Sequence, residues 1–231
     1  MPLTMYDLAG ASDDYRFSPY CWRIRMACAH KGLPLETIPW RFTEKTRLPQ
    51  PNTGTVPVMV DGETVVADSW KIACHLEAQY PDKPIFGDDI ARGEALLIKY
   101  WIERTLHPLV TRITVRDAWS GLKASDQGYF RESRETRFGK PLEEIVADRE
   151  RTRETFRAAL EPFRATLSDQ PFVCGKAAAF GDYIVFGMFQ WARCVSSFEL
   201  LEESDPLWGW RDRMLGLFDG LGAKTVRNPA L

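Results

Sequence analysis

The sequence has little of what marks metalloproteins, membrane proteins and nucleic-acid-binding proteins. It contains only three histidines, and none of its five cysteines forms the closely spaced pair of a zinc or dithiol site. The longest uncharged apolar run, Tyr183–Ala192, is about half of the roughly 20 residues that cross a bilayer. Lys and Arg total 30 against 32 Asp and Glu, so there is no basic excess for nucleic acid. We therefore predict no metal site, no membrane span and no nucleic-acid partner.

The cysteines and the first residues bear on the compartment. An odd number of scattered cysteines indicates free thiols in a reducing environment. Asp7, Asp13 and Asp14 come too early for the apolar core of a secretory signal. We expect a cytoplasmic protein, and its 231 residues, 45% of them hydrophobic, are enough for one large or two small domains.

The first 80 or so residues have mixed periodicity. Short β-branched or alternating runs indicate strands, and two stretches with helical spacing lie between them. Asp61-Gly62 is typical of a tight hairpin, and Gly32 is typical of a helix end. The predicted strands are 3–8, 35–40, 56–60 and 64–67, and the predicted helices are 19–31 and 69–80.

The remainder, after the linker Pro81–Pro84, contains only helical periodicity. The nearly all-apolar stretch 183–198 predicts a helix buried in a bundle. We interpret the charged stretch 127–140 as an exposed loop. The other predicted helices span 91–119, 142–167 and 207–218, so the fold class is α/β followed by all-α.

The segment richest in chemistry begins at Ser18. Serine is a favoured N-cap, and Pro19 suits the first helical position. The Ser18 hydroxyl therefore lies where a helix dipole favours negative charge, such as a thiolate. Two interpretations stay open at this point: Ser18 is only a cap, or it also stabilises an anion.

Two more features lie at loop ends of the same α/β unit. We predict a cis bond at Val56-Pro57 that presents the Val56 backbone to a peptide-like ligand, although an ordinary trans edge proline is the alternative. Asp68-Ser69 opens a helix, where a carboxylate and a hydroxyl can hold the ammonium and carboxylate of an amino acid. The pair could equally serve only as a helix cap.

In this order and spacing, these motifs make the whole chain resemble the cytosolic glutathione transferases. The resemblance implies a thioredoxin-like, glutathione-binding domain over 1–82 and an all-helical domain over 88–231 that completes the electrophile pocket. It implies glutathione as co-substrate, with its thiol activated by Ser18. The other implied glutathione-binding residues are Val56, Pro57, Asp68, Ser69 and Lys45, with Arg41 as the alternative to Lys45 for the glycine carboxylate.

A closer resemblance is to the serine-type bacterial and fungal subgroup that includes the lignin β-etherases. It rests on the runs 18–23, 67–70, 182–187 and 190–193. Gly181-Asp182 is similar to the family's N-capping box, although Ala179 stands where Ser or Thr is usual. The resemblance implies thiolate attack on an aromatic electrophile, with β-aryl ether cleavage as one form, and a homodimer. The aromatic residues proposed for the substrate pocket are Tyr15, Phe17, Tyr20, Trp119 and Tyr183.

Cys21 leaves two alternatives open. Ser18-Pro19-Tyr20-Cys21 is similar to the Cys-Pro-Tyr-Cys motif of glutaredoxins with serine at the first position. Serine there removes the mixed-disulfide route, so we favour thioether chemistry with a buried Cys21. The alternatives are a thiol transferase or lyase that uses Cys21, and a noncatalytic carrier of glutathione or aromatic ligands.

Overall fold

A computed structural model describes residues 3–230, which begin with a mixed four-stranded sheet and two helices. The strand order is β2-β1-β3-β4, with β2 parallel to β1 and with β3 and β4 antiparallel to their neighbours. Helices α1 and α2 each follow a strand, as the alternating periodicity predicts. The elements are β1 Leu3–Leu8, α1 Pro19–Lys31, β2 Leu35–Trp40, β3 Val58–Asp61, β4 Thr64–Ala67 and α2 Ser69–Gln79.

Helices alone form the regular structure of residues 88–230. This change confirms the predicted fold class, a thioredoxin-like α/β unit followed by an all-helical part. Within the described part of the chain, every helix is too short or too polar to cross a bilayer. The helices are α3 Asp89–Trp101, α4 His107–Ser120, α5 Ala124–Phe138, α6 Leu142–Ile145, α7 Arg149–Ala159, α8 Glu161–Asp169, α9 Phe180–Val195 and α10 Pro206–Gly220.

The stretch 127–140 was predicted as a loop, and this prediction is wrong, because it forms most of α5. Its charged side chains are exposed or half-buried, while Phe130, and Asp126 at the start of the helix, are buried against the rest of the protein. Gly128 faces open space, and Gly139 ends the helix in a left-handed conformation at φ 68°. The charged residues and glycines of this stretch are therefore compatible with an amphipathic helix.

Helices α3 and α4 are continuous through a wider π-helical turn, Ile102–Leu106. Pro108 lacks an N–H and cannot make the α-helical bond to residue 104. At His107 the backbone N–H bonds the carbonyl of Ile102, five residues back. Such turns re-aim side chains, and Glu103 and His107 both face the same cleft, described below.

Helix α1 packs closely against α9, which is buried over nearly its whole length. A Cβ at Gly187 would lie 2.4 Å from the carbonyl oxygen of Pro19, so no larger residue fits without moving one helix. Arg23 of α1 also donates to Glu103 at 2.7 Å. These contacts fix the start of α1 against the helical part.

A buried carboxylate organises the start of α9. Asp182 is fully buried and accepts hydrogen bonds from the backbone N–H groups of Val173 at 2.7 Å, Cys174 at 3.1 Å and Ala179 at 3.2 Å. The indole N–H of Trp210 adds a fourth bond at 2.9 Å. Ala179 has no side-chain acceptor, so only the Asp182 half of the predicted capping box forms.

We expect Asp182→Ala to destabilise the protein by on the order of 4 kcal/mol, because the buried indole N–H of Trp210 and three backbone N–H groups lose a charged acceptor. Urea unfolding of the purified variant measures this change. The matched control is Asp212→Ala on the exposed face of α10, for which we expect a change within about 0.5 kcal/mol. A loss below about 1 kcal/mol for Asp182→Ala would contradict this role.

Candidate active site

One cleft of about 440 Å³ lies between the sheet-bearing part and helices α4 and α5. One wall comes from the start of α1 and the loops after β2 and before β3. The other comes from the π-helical turn, α4, α5 and Trp191 of α9. Polar lining residues are Ser18, Lys45, Thr55, Glu103, His107, Thr111, Arg134 and Arg137, and most of the others are apolar or aromatic.

Ser18 begins α1 at the floor of this cleft. Its Oγ accepts a hydrogen bond from the N–H of Cys21 at 3.3 Å, which is N-cap geometry. That bond uses a lone pair of the oxygen, so the hydroxyl can still donate its hydrogen, either to the Cys21 sulfur or to an anion in the cleft. The two interpretations of Ser18, cap and anion donor, are therefore compatible.

The loop before β3 adds a peptide backbone and a cation. Val56 lines the cleft, and within residues 3–230 its N–H and C=O make no backbone hydrogen bond. The Val56–Pro57 bond is cis, as predicted. Lys45 lines the cleft, whereas Arg41 is turned away and bonds Gly10 at 3.1 Å and the Asp13 carboxylate. Of the two cations left open by the sequence, only Lys45 lines the cleft.

Asp68 and Ser69 lie at the start of α2, beside the cleft. The Asp68 N–H bonds the carbonyl of Pro57 at 3.3 Å, so the hairpin brings this helix start beside Val56. One carboxylate oxygen of Asp68 accepts from the N–H groups of Trp70 and Lys71, at 3.0 and 3.1 Å. Pro57, Asp68 and Ser69 do not line the cleft, and Asp68 is exposed beside it. Their roles in holding glutathione remain predictions.

The structure separates the five aromatic residues predicted for the substrate pocket. Phe17 and Tyr20 line the cleft. Tyr15 is fully buried against Phe17, and Tyr183 is buried with its hydroxyl 2.6 Å from His30 Nδ1. Trp119 donates to the Gln127 carbonyl at 3.1 Å and lies between two arginines outside the cleft. Tyr15 and Tyr183 are core residues and Trp119 packs against two arginines, so none of the three lines the cleft.

Sequence reasoning missed the aromatic residues that form most of the cleft. Several belong to α5, which was predicted as a loop. The spacing of Asp126, Phe130, Arg134 and Phe138 by four residues is the signal of a helix face that could have revealed it. The lining residues that were not predicted include Trp40, Phe42, His107, Tyr129, Phe130, Phe138 and Trp191, of which Tyr129, Phe130 and Phe138 belong to α5.

A polar cluster lies beside Ser18. The hydroxyl of Tyr20 is 3.4 Å from Nδ1 of His107, and the Arg23 guanidinium lies 4.7 Å from the centre of the Tyr20 ring. Burial, and secondarily the Arg23 charge, lowers the pKa of His107 to about 3, so this imidazole is neutral at pH 7. Burial raises the pKa of Tyr20, which keeps its hydroxyl a donor.

The Cys21 thiol is unsuited to nucleophilic attack. It is fully buried beneath Ser18. Burial first, and then the nearby charge of Asp7, raises its pKa well above the ordinary value. A nucleophilic cysteine needs an environment that lowers the pKa of its thiol, such as partial exposure and nearby positive charge. Within residues 3–230, no three His, Cys, Asp or Glu side chains are grouped closely enough to hold a metal ion.

Comparisons with known proteins identify the family of this chain. The family model for the glutathione S-transferase N-terminal domain matches residues 14–84, and the model for the C-terminal domain matches residues 95–213. A zeta-class glutathione S-transferase of Euphorbia esula is 39% identical over 82 residues, which are 33% of this chain and 36% of that protein. The chain thus matches about a third of the length of such relatives.

Longer matches come from fungi. The glutathione S-transferase-like protein ustS of Aspergillus flavus is 26% identical over 83% of this chain and 80% of its own. A glutathione transferase from Phanerochaete chrysosporium is 26% identical, covers 97% of this chain and 94% of its own, and has a TM-score of 0.75. A Ceriporiopsis subvermispora glutathione S-transferase, solved in complex with glutathione, shares the fold at 20% identity over 95% of this chain and 98% of its own, with a TM-score of 0.78. The chain belongs to the glutathione S-transferase family.

Proposed function

We propose that this protein joins glutathione, through its thiol sulfur, to a hydrophobic, aromatic electrophile. Residues 1–82 hold glutathione, and residues 88–231 complete the electrophile pocket. One observation carries the proposal: the Ser18 hydroxyl, at the start of α1, faces a cleft that Val56, Lys45 and many aromatic side chains also line. The structure of a fungal relative with glutathione bound supports the choice of co-substrate.

Ser18 raises the fraction of reactive thiolate. A free thiol has a pKa of about 8.5, so a few per cent is ionised near pH 7. A hydrogen bond from the Ser18 hydroxyl and the dipole of α1 favour the thiolate, whose proton leaves to solvent. The sulfur then forms a bond to the electrophilic carbon, and the leaving group departs with the electrons of the broken bond.

Val56, Lys45 and Asp68–Ser69 hold the rest of the tripeptide. The free N–H and C=O of Val56 can pair with the cysteinyl backbone. Lys45 attracts the glycine carboxylate, while Asp68 and Ser69 hold the ammonium and carboxylate of the γ-glutamyl end. We propose that the chemistry is of the serine type and that cleavage of a β-aryl ether, with phenoxide leaving from the carbon beside a ketone, is one reaction it performs. The resemblance of runs 18–23 and 182–187 to the β-etherase subgroup supports this choice.

We also propose that the protein acts as a cytoplasmic homodimer. All five cysteines are unpaired, which fits a compartment rich in glutathione. Helix α3 presents large apolar side chains to solvent in the monomer, among them Ile90 with 74% and Leu97 with 72% of their surface exposed. Tyr100 and Trp101 extend this patch at 47% and 39%. Exposed apolar area of this kind is typical of an interface.

Ser18→Ala tests the proposed activation. We expect kcat with 1-chloro-2,4-dinitrobenzene to fall by about 10²–10³-fold, as when one preorganised donor is removed, and the pKa of bound glutathione to rise. Steady-state kinetics and the ultraviolet absorbance of the thiolate measure these changes. Ser18→Thr is the matched control, because it keeps both the hydroxyl and the cap.

Asp68→Asn tests the proposed binding of the γ-glutamyl end. It keeps the α2 cap but removes the charge, so it should weaken glutathione binding more than it lowers kcat.

The result must be separated from unfolding, since loss of the cap costs about 1 kcal/mol. Urea unfolding of Ser18→Ala provides that check. A Ser18→Ala enzyme that is folded and as active as the parent would refute the assigned role.

Cys21 should be inert in the folded protein. We expect the parent and Cys21→Ser to show the same number of thiols that react rapidly with a chromogenic disulfide at pH 7, and to differ by one after unfolding. Cys21→Ser should also keep its transferase activity. If it is inactive while Ser18→Ala is active, Cys21 is the nucleophile and the thiol-transferase alternative is correct.

Leu97→Glu tests the dimer. A charge at the centre of the apolar patch on α3 should convert a dimer at micromolar concentration into a monomer in sedimentation velocity, because it would be buried without a partner. Leu97→Met is the control and should remain dimeric. A monomeric parent protein would contradict the homodimer.

A further inference from the structure

Two arginines of α5 face the cleft without an acidic partner. In the described residues, Arg134 and Arg137 make no contact with a carboxylate. Arg131, one turn earlier on the same helix, instead bonds both Glu135 at 2.8 Å and Glu143 at 2.9 Å. On this helix, acidic side chains therefore neutralise Arg131, whereas the two arginines that face the cleft have no acidic partner among the described residues.

The cleft as a whole carries uncompensated positive charge. Among residues 3–230, Glu103 is the one acidic residue that lines it, and Arg23 contacts this carboxylate at 2.7 Å and Lys99 at 2.9 Å. Lys45, Arg134 and Arg137 line the cleft, and within residues 3–230 none has a carboxylate within ion-pair distance. The proposed site needs one cation, Lys45, for the glycine end of glutathione. The two arginines remain for the second substrate.

Arg134 lies on an aromatic surface. Its guanidinium carbon is 4.2 Å from the centre of the Phe130 ring and 5.0 Å from that of Phe42. Burial of the guanidinium lowers the pKa of Arg134. A guanidinium held in this way presents its N–H fork to a planar anion and binds carboxylates in two-point geometry.

We propose, resting on the proposed function, that the second substrate is an aromatic carboxylate. Its ring packs among the apolar and aromatic side chains that line the cleft, and its carboxylate is bound by Arg134 and Arg137. The carbon that reacts then faces the thiolate at Ser18. In the simplest reaction, the thiolate of glutathione bonds to an activated ring carbon, and chloride leaves with the electrons of the carbon–chlorine bond.

Equilibrium binding tests this inference without turnover. The probes are biphenyl-4-carboxylate and the isosteric, neutral biphenyl-4-carboxamide, titrated by calorimetry into the full-length protein saturated with the unreactive analogue S-methylglutathione. We expect the carboxylate to bind about tenfold more tightly, a ratio that falls at high salt. Equal affinities, or tighter binding of the carboxamide, would overturn the proposal.

Matched variants on one helix locate the anion site. Arg134→Gln should remove most of the preference for the carboxylate, and Arg137→Gln should reduce it. Arg131→Gln, which removes the same charge outside the cleft, should leave the ratio as in the parent. If Arg131→Gln has the same effect as Arg134→Gln, the preference reflects overall charge and the assigned contact is wrong. If Arg134→Gln weakens S-methylglutathione binding and leaves the ratio intact, Arg134 serves glutathione instead.

Turnover distinguishes this inference from the proposed function. With glutathione, kcat/KM for 4-chloro-3,5-dinitrobenzoate, divided by its uncatalysed rate constant with glutathione, should be about tenfold above the same ratio for the corresponding carboxamide. Turnover of both substrates with equal ratios supports the transferase and overturns the aromatic-carboxylate inference. If neither substrate is turned over but the carboxylate probe still binds about tenfold more tightly, the transferase activity is refuted and the anion site is supported.

Discussion

The crossing of α1 and α9 at Gly187 determines where the site can form. The missing side chain of Gly187 lets α9 approach the carbonyl of Pro19, so the start of α1 is held directly against the most buried helix of the protein. Ser18 is the residue before Pro19. Because interiors are close-packed, any added volume at this crossing would displace the Ser18 hydroxyl from the cleft it faces. The position of one hydroxyl therefore depends on packing between both parts of the chain.

A second contact closes the cleft from the other side. The buried carboxylate of Asp126 accepts hydrogen bonds from the backbone N–H groups of Phe42 and Thr43, at 3.1 and 3.3 Å, and from the Thr43 hydroxyl at 2.6 Å. It thereby holds the start of α5 to the loop after β2. Phe130 and Arg134, one and two turns further along α5, thereby line the same cleft as Lys45. The two walls are thus joined by specific polar contacts as well as by apolar burial.

Burial also decides which groups near the cleft can ionise. Ser18 lies at a helix start, where backbone N–H groups favour an anion. Cys21, one turn later, faces the interior and the charge of Asp7, so its thiol stays protonated. His107 stays neutral for the same reason, because burial opposes its charged form. The site therefore stabilises the thiolate of a bound molecule such as glutathione better than a thiolate of Cys21.

The sequence by itself determined the local structure and the family. The four strands, the two helices around Ser18 and Asp68, the buried helix α9 and the left-handed Gly32 follow from periodicity and from capping residues, which act over a few neighbouring positions. It did not reveal α5, because charge and glycine at exposed positions obscured the four-residue spacing of its buried face. Nor could the sequence decide whether Arg41 or Lys45 lines the cleft, or show that Tyr20 lines it whereas Tyr183 does not. Which side of a strand or helix faces the cleft depends on contacts between residues far apart in the chain, and only the tertiary structure decides them.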